Sequence, residues 1–239
     1  MSGSMESNKL LDIRAQLEEE LTWRRDEIRL LHNQLSYIRP AKDQKRYRKA
    51  LLVMLYSHYE GFCATAFQIY IQAINDADLK RRELNHYLAA CSFAQEFDAY
   101  DNNELKPDHY RRIFKNNLPE ERKLHRFARQ IDFVKSMDRF WEQPVHIPDH
   151  VVKTESNLKP VVLKQLLYRL GLPHDYFNDE EGNITELVER RNAIAHGRNK
   201  EGFEEKTYNR IEASVFRILE TVIKLIMDSL KQKDYLLTS

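Results

Sequence analysis

The stretch Ala50-Leu51-Leu52-Val53-Met54-Leu55-Tyr56-Ser57-His58-Tyr59-Glu60-Gly61-Phe62-Cys63-Ala64 constrains this chain of 239 residues more than any other. A helix drawn through it is apolar on nearly every face, so other helices must enclose it as the middle of a bundle. The pattern predicts that helix over residues 43–75. Turn-forming residues point the same way. The chain holds 6 glycines and 7 prolines, roughly half the usual share. An all-β sandwich or barrel needs turn signals about every 8–12 positions, and this sequence cannot supply them. The fold class is all-α.

Ahead of the central helix, Leu10, Ile13, Leu17, Leu21, Ile28, Leu31, Leu35 and Ile38 recur by threes, fours and sevens. This spacing predicts an amphipathic helix over 8–38, stopped by Pro40. The charges between them, Glu18-Glu19-Glu20 and Arg24-Arg25-Asp26-Glu27, read as its solvated face. Beyond 75 the pattern loosens. Helices are expected over 78–90, 107–116 and 120–142, separated by Pro107, Pro119, Pro144 and Pro148. Residues 145–153 read as extended, because Pro148 forbids a helix through them. His146 and His150, four apart, are therefore not aligned as metal ligands on a helix would be. Helices resume over 159–170, 184–196 and 205–237, the first two ended by Gly171 and Gly197. The segment 76–150 thus reads as a helical insertion within one domain spanning 5–239.

The formal net charge is +1, from 38 basic and 37 acidic residues, so no global field favours nucleic acid. The stretch 106–139 is locally basic. Arg111, Arg112, Lys115, Arg122 and Lys123 are interleaved with Tyr110, Phe114, Phe127 and Phe133, a pattern able to meet phosphates and stacked bases. More often such a pattern is an ordinary solvated face above a core stripe. Cys63 and Cys91 form no CxxC pair and fall in helix interiors, which argues against a disulfide framework or a cysteine-ligated zinc and fits a reducing cytoplasm. The longest strongly apolar run, 51–56, is far too short to cross a bilayer. Met1-Ser2-Gly3-Ser4-Met5 has no hydrophobic signal core, and residues 1–4 read as an expression scar before a native start at Met5. A cytoplasmic protein without a membrane segment is expected.

Polar chemistry concentrates in Glu186-Leu187-Val188-Glu189-Arg190-Arg191-Asn192-Ala193-Ile194-Ala195-His196-Gly197-Arg198. On a helix Leu187 and Ile194 form the core stripe, while Glu189, Asn192 and His196 line another face. An imidazole can take or give a proton near neutral pH, and a guanidinium can hold phosphate at two points. Ala193, Ala195 and Gly197 leave room for a substrate backbone. A histidine in the last turn also suits the helix dipole, a purely structural reading. Glu60, inside the apolar helix, must be paired with a neighbouring helix or open into a cleft. Arg191 and His196 stand five residues apart, about 140° from a common face. They converge only if the helix loosens near Gly197, if the arginine wraps around, or if a second chain completes the site.

Arg191-Asn192-Ala193-Ile194-Ala195-His196 resembles the Arg-x4–6-His signature of the HEPN superfamily, with the common Asn directly after the Arg. The stretch from Tyr47 to Phe62, with its Tyr59-Glu60-Gly61-Phe62, looks like the early helix of the MAE-type HEPN-like nucleases. Thr154-Glu155-Ser156-Asn157-Leu158 and Leu170-Gly171-Leu172 resemble that subfamily's approach to the motif helix. The likeness covers roughly 20–75 and 150–230.

The resemblance implies a HEPN-like helical bundle that dimerises, with two motif helices meeting across a groove. It implies a metal-independent endoribonuclease without cofactor, acting in defence, toxin–antitoxin or RNA-processing systems, with an antitoxin or defence-complex partner. His196 would activate the RNA 2′-hydroxyl or protonate the leaving 5′-oxygen, and Arg191 would stabilise charge on the phosphate. Asn192 would orient His196 or the substrate; Glu60 would hold Arg191, with Arg190 as a further auxiliary group. Arg198, Arg111, Arg112, Lys115, Arg122 and Lys123 are the candidate RNA contacts. Nucleotidyltransferase-controlled HEPN toxins often carry a tyrosine two residues after the histidine. Arg198 stands there, so control by modification of such a tyrosine is not expected. The competing expectations are a catalytically silent HEPN module that binds RNA or dimerises within a larger complex, and a helical interaction protein without RNA contact.

Overall fold

The computed structural model describes residues 2–102, 108–115, 122–155 and 157–238, with only the backbone described for 2–6 and 108–110. Met1 of the expected scar, Ser156, Lys106, Pro107 and Pro119 lie outside the described residues. The side chain of Tyr110 does too. The described residues form nine α-helices and no strands, with two isolated bridges, Lys80 to Pro144 and Leu84 to Leu236. The all-α expectation holds. No helix among them is long and apolar enough to cross a membrane.

The chain divides into two compact units, 1–73 with 152–234, and 74–151 with 235–239. In the first, α1 (Ser2–Asn33) buries Ile13, Leu17, Leu21 and Ile28, the stripe read from the sequence. It ends earlier than expected and passes into a 3-10 turn, Gln34–Tyr37. One charge departs from the solvated face assigned to it. Arg24 falls three residues after Leu21, on the stripe, and is 6% exposed. Its guanidinium lies 4.3 Å from the centre of the Trp23 ring and bonds the Glu20 carbonyl at 2.7 Å. A planar cation sandwiched on an aromatic face is cheaper to bury than an ammonium.

α2 (Ala41–Asn75) buries Leu51, Leu52, Leu55, Tyr56, Tyr59, Phe62, Cys63, Ala66, Phe67, Tyr70, Ile71 and Ile74, as a helix enclosed by others should. α7 (Pro160–Arg169) begins with Pro at its first position, where the missing N–H costs no bond. α8 (Glu181–Ala195) packs on α7 and on α9 (Glu205–Gln232), which in turn packs on α1. Arg217 bonds Glu180 at 2.9 Å across the α8–α9 side, and Arg210 pairs with Glu186. α9 stops at Lys233, whose left-handed backbone (φ +60°) breaks the helix five residues before the expected end.

In the second unit the expected helix over 78–90 is replaced by a 3-10 turn, Arg81–Glu83, and the short α3 (His86–Ser92), whose first turn is capped by the Asn85 side chain at 3.0 Å. α4 (Ala94–Asp101) was not legible in the sequence; α5 (Asp108–Phe114) and α6 (Arg122–Trp141) fall within expected stretches. Buried Arg81 donates to Ser92 Oγ at 3.1 Å and to Glu96 at 2.6 Å. Its guanidinium stacks on Phe93, whose ring also meets Phe97, Phe140 and Trp141. The segment after α9 returns to this unit: Asn85 N–H bonds the Tyr235 carbonyl and Leu237 N–H the Glu83 carbonyl, both at 2.8 Å.

Candidate functional site

α8 places the polar motif by its termination. His196 is the C-cap residue, and Gly197 follows with φ +67°. Gly197 N–H bonds the Ile194 carbonyl at 3.0 Å and Arg198 N–H the Ala193 carbonyl at 2.8 Å. This paired closure satisfies the orphan carbonyls and needs a left-handed residue at 197, which glycine adopts without a Cβ penalty. The helix does not loosen before the cap, since His196 N–H still bonds the Asn192 carbonyl at 3.0 Å. His196 and Arg198 are both exposed.

The loop after the motif is pinned to the start of α2. Lys49 Nζ bonds the Asn199 carbonyl at 3.1 Å, and Phe203 N–H bonds the Lys45 carbonyl at 3.2 Å. Buried Arg48 reaches the Phe203 carbonyl at 3.4 Å and Glu205 at 3.2 Å. At Gly202 (φ +92°) a Cβ would stand 2.0 Å from the Lys45 carbonyl oxygen, so only glycine fits.

Arg191 turns the other way, toward α2. Its Cζ lies 3.9 Å from the centre of the Tyr56 ring. The Tyr56 hydroxyl accepts from Leu158 N–H at 2.9 Å, tying the segment before α7 to the same spot. Burial pushes the Tyr56 hydroxyl pKa up. The Arg191 guanidinium and the Leu158 N–H work against that rise, and the Glu60 carboxylate adds to it. Glu60 and Arg191 therefore both adjoin Tyr56. One carboxylate oxygen of Glu60, Oε1, is buried and accepts no hydrogen bond among the described residues.

The family described as HEPN_MAE_28990/-like HEPN matches residues 13–235. The chain belongs to that HEPN family. The match runs through the middle segment as well as the two stretches that carry the sequence resemblance. No curated protein and no solved structure matches the chain.

Within this HEPN chain the sequence candidates separate into distinct places. Arg191 and Glu60 meet around Tyr56, a residue that sequence reasoning missed because no spacing reveals a partner 135 positions away. Asn192 opens instead into a cleft between α7 and α8, where Lys164 and Glu181 close on each other as an ion pair. Arg190 is held by Glu186, 2.7 Å from Nε, and stacks over Phe203 at 4.7 Å. That places it in the α8–α9 contact and not beside Tyr56. Arg111, Arg112, Lys115, Arg122 and Lys123 are exposed and belong to the second unit, near the exposed Ile113 and Phe127.

Proposed function

We propose that the protein is a metal-independent endoribonuclease acting as a homodimer, in a defence or toxin–antitoxin setting. The observation that carries this reading is that one helix of a HEPN chain, α8, holds both an arginine braced on Tyr56 and, at its cap, an exposed imidazole. The RNA 2′-hydroxyl attacks the adjacent phosphorus, the bond to the 5′-oxygen breaks, and a 2′,3′-cyclic phosphate and a 5′-hydroxyl result. His196 removes the 2′ proton or supplies the one that the 5′-oxygen needs. Arg191 stabilises the charge that builds on the phosphoryl oxygens, and Asn192 orients the strand. Helical periodicity sets Arg191 and His196 of one chain about 140° apart, so the second copy supplies the complementary group across the groove.

The deciding experiment incubates purified protein with RNA beside the His196→Ala variant and maps the product ends. Cyclic-phosphate ends from the wild type alone, undiminished by EDTA, are expected. Equal cleavage by His196→Ala would overturn the proposal. A silent HEPN module remains the second reading. It is favoured by the commitment of Arg190 to Glu186 and Phe203 and of Arg191 to Tyr56 within one chain. RNA binding without cleavage at high protein concentration would select it.

A further inference from the structure

α7 and α8 leave between them a cleft of about 520 Å³, within the range of about 300–1,000 Å³ typical of small-molecule sites. Val161 and Val188 give it apolar walls, a surface on which a flat base can lie. Lys159, Thr185, Glu189 and Asn192 supply its polar groups, and none of these four side chains makes a hydrogen bond or ion pair among the described residues. They are available to a ligand.

Register connects this cleft to the histidine. At 100° per residue, Thr185, Glu189, Asn192 and His196 fall within an arc of about 60° on α8. His196 stands one turn beyond Asn192, about 6 Å along the axis, so a base held at Glu189 and Asn192 brings its own phosphate toward the imidazole. Donor and acceptor patterns then choose the base. A carboxylate only accepts. Guanine alone among the RNA bases presents two adjacent donors, N1–H and the N2 amino group, which a carboxylate can accept together. Uracil offers one donor between two carbonyl oxygens, while adenine and cytosine set one donor beside a bare ring nitrogen. The Asn192 amide can donate to the O6 or N7 acceptors of guanine, and the Lys159 ammonium can meet a flanking phosphate.

We propose that this cleft is a guanine-nucleotide subsite, with Glu189 reading the N1–H and N2 edge; its role in placing the strand rests on the ribonuclease reading, whereas its binding selectivity does not. The test titrates full-length wild type and Glu189→Gln with 3′-GMP, 3′-AMP, 3′-CMP and 3′-UMP, following calorimetry and the Asn192 side-chain amide resonances. Because the Glu189 side chain is exposed, the variant folds as the wild type does. Wild type is expected to bind 3′-GMP about tenfold or more tighter than the others, the discrimination of one good two-point contact. The Asn192 resonances should shift, and Glu189→Gln should lose the preference. Equal affinity for all four nucleotides, no Asn192 shift, or a preference that survives Glu189→Gln would overturn the subsite. In parallel, mapped cuts should cluster beside guanosines. RNA cleavage with no base preference would sink the subsite and leave the ribonuclease standing. Selective 3′-GMP binding with no cleavage would do the reverse.

Discussion

The Arg191 guanidinium lies face-on over the Tyr56 ring, 3.9 Å from its centre, with the Tyr56 hydroxyl anchored to Leu158 N–H. This contact holds the guanidinium over the ring. Tyr56→Phe keeps the ring and loses the hydroxyl's hydrogen bonds to Leu158, Arg191 and Glu60, each worth about 1 kcal/mol, and should retain more RNA cleavage than Tyr56→Leu. Tyr56→Leu removes the platform and should reduce cleavage toward the level of Arg191→Ala. Initial rates, read beside thermal unfolding of each variant, check this; wild-type rates in a folded Tyr56→Leu protein would show that the stack does not position Arg191.

His196 is exposed at its cap. Its replacement by Ala should cost about 10²- to 10⁴-fold in cleavage, the usual contribution of one acid–base group. Stability should move by no more than about 0.5 kcal/mol, as at other surface positions. Product formation and denaturant unfolding of the same preparation separate the two effects.

The two left-handed glycines near the motif should differ sharply in what they tolerate. At Gly197 a Cβ meets no atom within 4 Å, so Gly197→Ala carries only the conformational penalty, about 1–2 kcal/mol. At Gly202 the same methyl would collide with the Lys45 carbonyl, and Gly202→Ala should cost several kcal/mol or release the loop from α2. Urea unfolding ranks the two; equal losses would contradict the close approach at 202.

His58 gives the first unit a pH dependence. It is buried, with Nε2 3.0 Å from Glu27 and its ring edge-on to Trp23 at 5.3 Å. Burial lowers its pKa, the nearby Arg24 adds to the fall, and Glu27 opposes it. The unfolded chain therefore binds the proton more readily than the folded one. Stability should fall as pH drops below about 6.5, the unperturbed histidine value, and His58→Gln should flatten that part of the curve. Melting temperatures between pH 5 and 8 measure it, and an unchanged slope in His58→Gln would assign the dependence to another group.

Periodicity made the long helices legible, since each buries a stripe wide enough to show in the sequence: α2 and α8 lie within a few residues of where the apolar spacing puts them, and α1 and α9 cover most of their expected spans but end early. It failed where tertiary contacts decide. α4 buries none of its own residues and so left no stripe to read. Arg24 looked solvated because the Phe62 ring that covers it arrives from α2 only on folding, while the Glu20 carboxylate one turn back pairs with its charge. The ending of α8 at His196 and Gly197 was legible because turn chemistry is local. The different faces of Arg191 and Asn192, about 100° apart, follow from the helical repeat, whereas their surroundings, Tyr56 on α2 and the wall of α7, arise from contacts that no local spacing encodes.

The main-chain bond from His196 N–H to the Asn192 carbonyl makes the last turn of α8 a ruler. Whatever is gripped at the amide of one residue lies at a length set by the backbone from the ring of the other. A strand laid along this side of the helix would be offered to the imidazole at a constant offset from its point of attachment, whatever its sequence farther away.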